Sequence, residues 1–207
     1  MSYLRDPSAI YEQSFATIRA EADLSRLPVE LHPSASRMIH ACGMTEITRN
    51  LIVSPDFVTA CEVALLAGGK ILVDAEMVRH GIITKLFPDR DRIVCTLNDP
   101  QVKDVAKEIG NTRSAAAVEL WRPYLSGSIV VIGNAPTALY HLLDIIEAGG
   151  PRPAAIVALP VGFVGAVESK EHLIANPRGV PFITLRGRQG GSAMAAAVIN
   201  ALLGGNE

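Results

Sequence analysis

Five short apolar runs in the second two thirds of the chain most restrict the fold that this sequence can adopt. They occupy residues 71–73, 93–95, 129–132, 155–159 and 182–185, and Gly, Asp, Asn or Pro follows closely after each. Runs that are apolar throughout are typical of strands covered on both faces, and the amphipathic stretches between them predict helical crossovers. The sequence therefore predicts an α/β fold with three layers, α/β/α, around a mostly parallel sheet of about five strands.

Three helices are predicted before the first of these runs. The first begins after Asp6, a suitable N-cap, with Pro7 in the first helical position. The second carries His40, and the third extends from about residue 55 to the glycine pair at 68–69. Ligands of parallel sheets bind beyond the carboxyl ends of the strands, so the loops that leave the strands are the expected site.

The composition limits the classes of partner. The 207 residues, 49% of them hydrophobic, can bury one sizeable core, so residues 1–207 are expected to form a single domain. With 19 basic and 21 acidic side chains, the chain has no overall field that would attract nucleic acid or an anionic membrane. Three cysteines far apart in the sequence indicate neither a disulfide framework nor a thiolate zinc site. Without an apolar signal segment at residues 1–6, a cytoplasmic location is expected.

The helix around His40 separates apolar from polar positions. At about 100° per residue, Met38, Ile39 and Cys42 share one face, while Arg37 and His40 project from the other. An ordinary solvated helix face would have the same pattern. A titratable group beside a cation is also what a site for an acidic substrate requires.

Two glycine-rich loops and one helix start are candidate anion sites. Asn134 follows the third apolar run, and Arg186, Arg188 and Ser192 follow the fifth. Such turns can present free N–H groups and the positive end of a helix dipole to a phosphate or carboxylate, although the glycines could simply make tight turns. Arg113 stands in the first turn of a helix, where the dipole disfavours a cation, so it is better explained as a carboxylate clamp.

Several other site classes are poorly supported. No segment reads G-x-G-x-x-G or ends in the Gly-Lys-Ser/Thr of a phosphate-binding loop, and the histidines lack metal-ligand spacing. Asp74 and Glu76, just past the first apolar run, can be read either as a functional carboxylate pair or as solvated turn residues.

Taken together, seven segments resemble the precorrin-8X methylmutase family of vitamin B12 biosynthesis, in the order in which the family has them. They are AIYEQSF at 9–15, RMIHACG at 37–43, DAEMV at 74–78, GNTRSA at 110–115, GNAPTA at 133–138, PVGFVGA at 160–166 with ESK at 168–170, and GGSA at 190–193. The resemblance covers nearly the whole chain. It implies an isomerase that moves a methyl group between adjacent ring carbons and converts precorrin-8X to hydrogenobyrinic acid, with no redox cofactor and no metal.

The resemblance also implies roles for particular residues. His40 matches the family's proton donor and acceptor, which suits imidazole because its unperturbed pKa is about 6.5. Ser14 and Arg37 match substrate contacts, and Arg113 matches a further carboxylate clamp. Asn134, Arg186, Arg188 and Ser192 are predicted to bind substrate from their loop positions alone.

Three questions stay open from the sequence. The resemblance implies a homodimer with its site near the subunit interface, and the small residues at 190–197 would suit either that interface or packing against the chain's own sheet. The substrate could be cobalt-precorrin-8 of the anaerobic pathway instead of the metal-free form. A non-catalytic corrinoid-binding protein is a third possibility, but binding alone does not require a proton shuttle.

Overall fold

The computed structural model describes residues 3–204, which fold around a six-stranded sheet in the order β1-β6-β5-β4-β2-β3. The strands are β1 (Leu51–Val53), β2 (Ile71–Val73), β3 (Ile93–Val94), β4 (Ile129–Ile132), β5 (Ala155–Ala158) and β6 (Phe182–Leu185). All neighbouring strands are parallel except β1, which pairs antiparallel with β6. The five predicted strands and the mostly parallel sheet are confirmed, with the third residue of β3 and the fifth of β5 lying just outside the strands.

The sixth strand is a correction to the predicted number of about five. β1 has only three residues and lies between a short 3₁₀ helix, Thr45–Asn50, and helix α3. Its register against β6 pairs Leu51 with Leu185 and Val53 with Ile183. A run this short takes its conformation from its partner strand, so local sequence carries little signal for it.

Nine α-helices lie within the described part of the chain. They are α1 (Pro7–Glu21), α2 (His32–Cys42), α3 (Phe57–Leu66), α4 (Glu76–Gly81), α5 (Val102–Glu108), α6 (Arg113–Glu119), α7 (Pro136–Glu147), α8 (Ala166–Ala175) and α9 (Ser192–Leu202). The predicted cap of α1 is present, because the Asp6 carboxylate accepts a hydrogen bond from the N–H of Ala9 at 3.2 Å.

Successive side chains along each strand point alternately into two apolar cores, one on each face of the sheet. In β4, Ile129 and Val131 face a core shared with α1, α2, α3, α4 and α9, while Val130 and Ile132 face a core shared with α7 and α8. Both sets of side chains are fully buried. This alternation confirms the predicted three-layer α/β/α class, since a sheet with two buried faces needs a helical layer on each.

Helix α9 lies inside the first of these layers, in close contact with α2 and α4. Ala195, Ala196 and Ala197 are buried, and a side chain at Gly81 would come within 2.7 Å of the Ala196 methyl group. The Asn200 side chain joins α9 to the end of α4, because it accepts from the N–H of Ile83 and donates to the carbonyl of Gly81. The small residues of α9 therefore serve packing within the chain.

Candidate active site

The pairing of α1 with α2 brings Ser14 and His40 together. The Ser14 hydroxyl and His40 Nδ1 are joined by a hydrogen bond of 2.9 Å, and the imidazole ring is exposed to solvent. Met38 and Ile39 on the opposite face are buried, as the helical spacing predicted. The contact to Ser14 fixes the direction of the ring, because a hydrogen bond at one nitrogen determines where the other points.

Two aromatic residues of α1 support His40 and Arg37. The Phe15 ring stacks on the imidazole with 5.0 Å between centroids and 21° between planes. Arg37 donates from Nη2 to the Tyr11 hydroxyl at 2.8 Å, and its guanidinium carbon lies 5.8 Å from the Phe15 centroid. The sequence assigned Tyr11 and Phe15 only to an apolar stripe. Tyr11 and Phe15 are four residues apart and therefore lie on one face of α1, next to Ser14. This spacing was the signal in the sequence for a role beside the site.

A cavity of about 270 Å³ opens beside this group. Its lining combines Ser14 and His40 with the following residues of α1, α2 and the turn after α2: Thr17, Ile18, Glu21, Ile39, Gly43 and Thr45. Gly43 ends α2 in the left-handed conformation, with φ of 70°, which favours glycine. The chain can therefore turn away sharply below His40 and leave the cavity open.

The loop after β6 carries three more of the predicted residues. Arg186 Nε lies 3.7 Å from the Glu171 carboxylate, and the Arg188 guanidinium lies 5.1 Å from the centroid of the exposed Phe163 ring. Ser192 begins α9, and its hydroxyl oxygen is buried without a hydrogen-bond partner among the described residues. At the middle of the loop, Gln189 Nε2 contacts Met44 Sδ, just after α2, at 3.3 Å. This loop therefore touches the end of the helix that carries His40.

Arg113 stands at the start of α6, at a third position on the protein. It is exposed and donates from Nη2 to the carbonyl of Leu97 at 3.1 Å. Thr112 caps α6 through the N–H of Ala115 and donates its own hydroxyl to Thr137 of α7 at 2.8 Å. That contact brings the starts of α6 and α7 together, so Arg113 and Asn134 lie near neighbouring helix N-termini.

The backbone amides around Asn134 already have an acceptor inside the protein. The Asp74 carboxylate, at the end of β2, accepts from the N–H groups of Gly133, Asn134 and Ala135 at 2.9, 3.0 and 2.8 Å. Asp74 is buried, and burial raises the pKa of its carboxyl group while these amide bonds oppose the rise. The interpretation of Asp74 as a solvated turn residue is therefore wrong, and the backbone N–H of Asn134 is already bonded within the protein.

Within residues 3–204, no group of three or more His, Cys, Asp and Glu side chains is arranged to hold a metal ion. None of the helices in this range is long and apolar enough to cross a membrane.

Comparison with known proteins gives a consistent assignment. A family model described as precorrin-8X methylmutase matches residues 9–204. A precorrin-8X methylmutase of Sinorhizobium sp. is 58% identical over 200 residues, which are 97% of this chain and 95% of the relative. A cobalt-precorrin-8 methylmutase of Priestia megaterium is 34% identical over 95% of this chain and 87% of its own length.

A solved structure agrees with the same assignment. The precorrin-8X methylmutase of Thermus thermophilus superposes with a TM-score of 0.82 at 36% sequence identity, and covers 97% of this chain and 98% of its own. With a family match over nearly the whole sequence and relatives of this identity, the chain belongs to the precorrin-8X methylmutase family, whose members are isomerases of corrin biosynthesis.

Proposed function

We propose that this chain, acting as one domain, converts metal-free precorrin-8X to hydrogenobyrinic acid, with His40 as proton donor and acceptor. The observation that carries the residue assignment is the group formed by Ser14, Phe15, Arg37 and His40, where an oriented imidazole stands beside a cation and an open cavity. The choice of the metal-free substrate is supported by the identity of 58% to a relative named for precorrin-8X, against 34% to one named for the cobalt form.

The reaction moves a methyl group without a net change in composition, so a proton that the protein lends to the substrate must be recovered. The imidazolium form of His40 is the acid: its Nδ1–H donates to the Ser14 hydroxyl, and its Nε2–H is the proton that can be transferred, which leaves a neutral imidazole. Transfer of that proton to the macrocycle withdraws electron density from the ring carbons between which the methyl group migrates. After the shift, the proton returns to Nε2, and a positioned side chain of this kind contributes a factor of roughly 10²–10⁴ in rate.

The acidic side chains of the substrate require cations around the ring. Arg37 lies one helical turn before His40, so it can hold one carboxylate while the imidazole faces the macrocycle. Arg113, Arg186 and Arg188, with the polar groups of Asn134 and Ser192, supply further contacts at the edge of the sheet. The cavity of about 270 Å³ at His40 is smaller than a typical site for a drug-sized ligand, so the macrocycle must extend beyond it over the open surface.

We further infer that the protein is a cytoplasmic homodimer with its site near the subunit interface. The loop between β5 and α8 exposes Val161, Phe163 and Val164, the last two to almost 90% of their surface. Adjacent apolar side chains with this exposure suit a protein interface. Because the small residues of α9 are buried within the chain, this loop is the better candidate for contact with a second subunit. All three cysteines are free, which suits a reducing compartment.

The test is an absorbance time course with precorrin-8X, run on the parent protein and on His40→Ala. We expect conversion to the corrin spectrum by the parent, and binding with at least a hundredfold slower conversion by the variant. His80→Ala is the matched control, because His80 is an exposed histidine on α4. Undiminished turnover by His40→Ala would refute the proton assignment.

A parallel assay with cobalt-precorrin-8 separates the remaining functions. Turnover of the cobalt form alone would assign the anaerobic reaction. Tight binding of both compounds without a spectral change would favour a carrier protein.

A further inference from the structure

Lys170 is an internal amine that the reaction itself does not use. It lies in the middle of α8 and is among the largest side chains with no exposed surface in the described part of the chain. Burial lowers the pKa of its amino group to about 8, although the neighbouring Glu171 acts in the opposite direction. An ammonium group is costly to bury, and a well-packed apolar side chain of the same length would often be as stable or more so.

The amino group of Lys170 makes a specific hydrogen bond inside the protein. Lys170 Nζ donates to the backbone carbonyl of Gln189 at 2.7 Å. Gln189 is the central residue of the loop between β6 and α9, the loop that carries Arg186 and Arg188. The lysine therefore reaches from one helical layer to a loop at the edge of the sheet.

The same loop is held on two further sides. The N–H of Gly191 donates to the carbonyl of Leu159 at 2.8 Å, and a Cβ at Gly190 would lie 2.4 Å from that oxygen. Across the loop, the Gln189 side chain contacts Met44 at the end of the helix that carries His40. Besides the bond from Lys170, the backbone of residues 186–189 is held by the N–H of Arg186, which donates to the carbonyl of Asn50 at 2.8 Å, and by the carbonyl of Arg188, which accepts from the N–H of Gly162 at 3.3 Å.

We propose that Lys170 is a positioning residue that fixes the loop of Arg186 and Arg188 in the conformation that receives the carboxylates of the substrate. This inference rests on the proposed function. It differs from a purely structural role, because a fixed loop lowers the entropy that substrate binding must remove, whereas a structural contact would act on the stability of the whole protein.

The experiment compares Lys170→Met, which matches the alkyl part of the lysine side chain and removes the amino group, with the exposed control Lys103→Met on α5. We expect the KM for precorrin-8X to rise about tenfold or more in Lys170→Met, with kcat within about twofold, because the loss falls on binding. Hydrogen exchange, measured by mass spectrometry, should become faster in peptides that cover 186–191. Peptides from the core strands should keep their protection, and the control should match the parent in every measurement.

The outcomes separate the two proposals. If the parent protein does not convert precorrin-8X, the proposed function fails, while hydrogen exchange still shows whether Lys170 holds the loop. If Lys170→Met keeps both its KM and the slow exchange of the loop, the positioning role is refuted. A fall in kcat with protection lost throughout the protein would indicate a structural role and would also refute it. Should Lys170→Met fail to fold, Lys170→Gln, whose shorter side chain keeps a polar end, is read by the same criteria.

Discussion

The side chains around His40 owe their arrangement to contacts between α1 and α2. Helical spacing alone was enough to place His40 and Arg37 on the solvent side of α2, and that prediction is confirmed. The spacing could not show that Tyr11 and Phe15 come from another helix to support them, because such contacts depend on how two helices pack. Lys170 was missed for a related reason, since a lysine in an amphipathic helix usually reaches solvent.

Tyr11 offers a test of how Arg37 is oriented. In Tyr11→Phe the guanidinium loses the hydroxyl that accepts its hydrogen bond at 2.8 Å, while the ring packing against Phe15 is kept. We expect a rise in KM of about threefold to tenfold, which corresponds to one hydrogen bond of roughly 1 kcal/mol, and little change in kcat. Steady-state kinetics measure both. Tyr124→Phe, at an exposed tyrosine, is the control, and an equal KM in the two variants would contradict the role of Tyr11.

The pKa of Lys170 predicts how stability depends on pH. The folded-state pKa of about 8 lies below the ordinary value of 10.5, so between these pH values the unfolded chain binds more protons at this residue. The free energy of unfolding of the parent, relative to Lys170→Met, should therefore rise with pH across this window, by at most about 1.4 kcal/mol per pH unit. Urea denaturation at pH 7, 8, 9 and 10 measures it, and a constant difference would contradict the prediction.

At the scale of elements, the sequence predicted the parallel strands of the sheet better than it predicted β1 and the contacts between elements. The five parallel strands could be read from apolar runs because each is buried on both faces. Strand β1 could not, since three residues gain their conformation from pairing with β6. The role of Asp74 was also hidden, because its three N–H partners lie about sixty positions away in the chain.

Asp74 connects the end of β2 to the turn between β4 and α7. In Asp74→Asn one acceptor oxygen is replaced by an NH₂ group, so buried N–H groups of the turn lose their partner. We expect a loss of about 1–3 kcal/mol in the free energy of unfolding, the usual cost of an unsatisfied buried donor. Urea denaturation provides the measurement, with Asp104→Asn on the surface of α5 as control. Unchanged stability would show that the turn does not depend on this carboxylate.

At the scale of the whole molecule, the apolar loop between β5 and α8 predicts the behaviour of the protein in solution. Phe163→Ser removes a side chain that is 87% exposed, so the folded monomer should lose little stability. If the loop forms the subunit interface, the variant should dissociate at concentrations where the parent is a dimer. Light scattering coupled to size-exclusion chromatography measures the mass. Leu66→Ser, with 88% exposure at the end of α3, is the control, and equal masses for all three proteins would exclude the loop from an interface.

The position of α9 has a consequence for how the protein is made. The helix that carries His40 is synthesised within the first 42 residues, but it packs against α9, which begins at residue 192. At ribosomal rates of about 5–20 residues per second, the intervening chain takes roughly 10–30 s to appear. During that time α2 can pack against α1 but lacks its contact with α9, so the buried face of the helix that carries His40 is fully covered only after α9 has been synthesised. A message that stops before α9 would therefore yield a chain that contains every predicted site residue except Ser192 but leaves the face of α2 that packs on α9 uncovered.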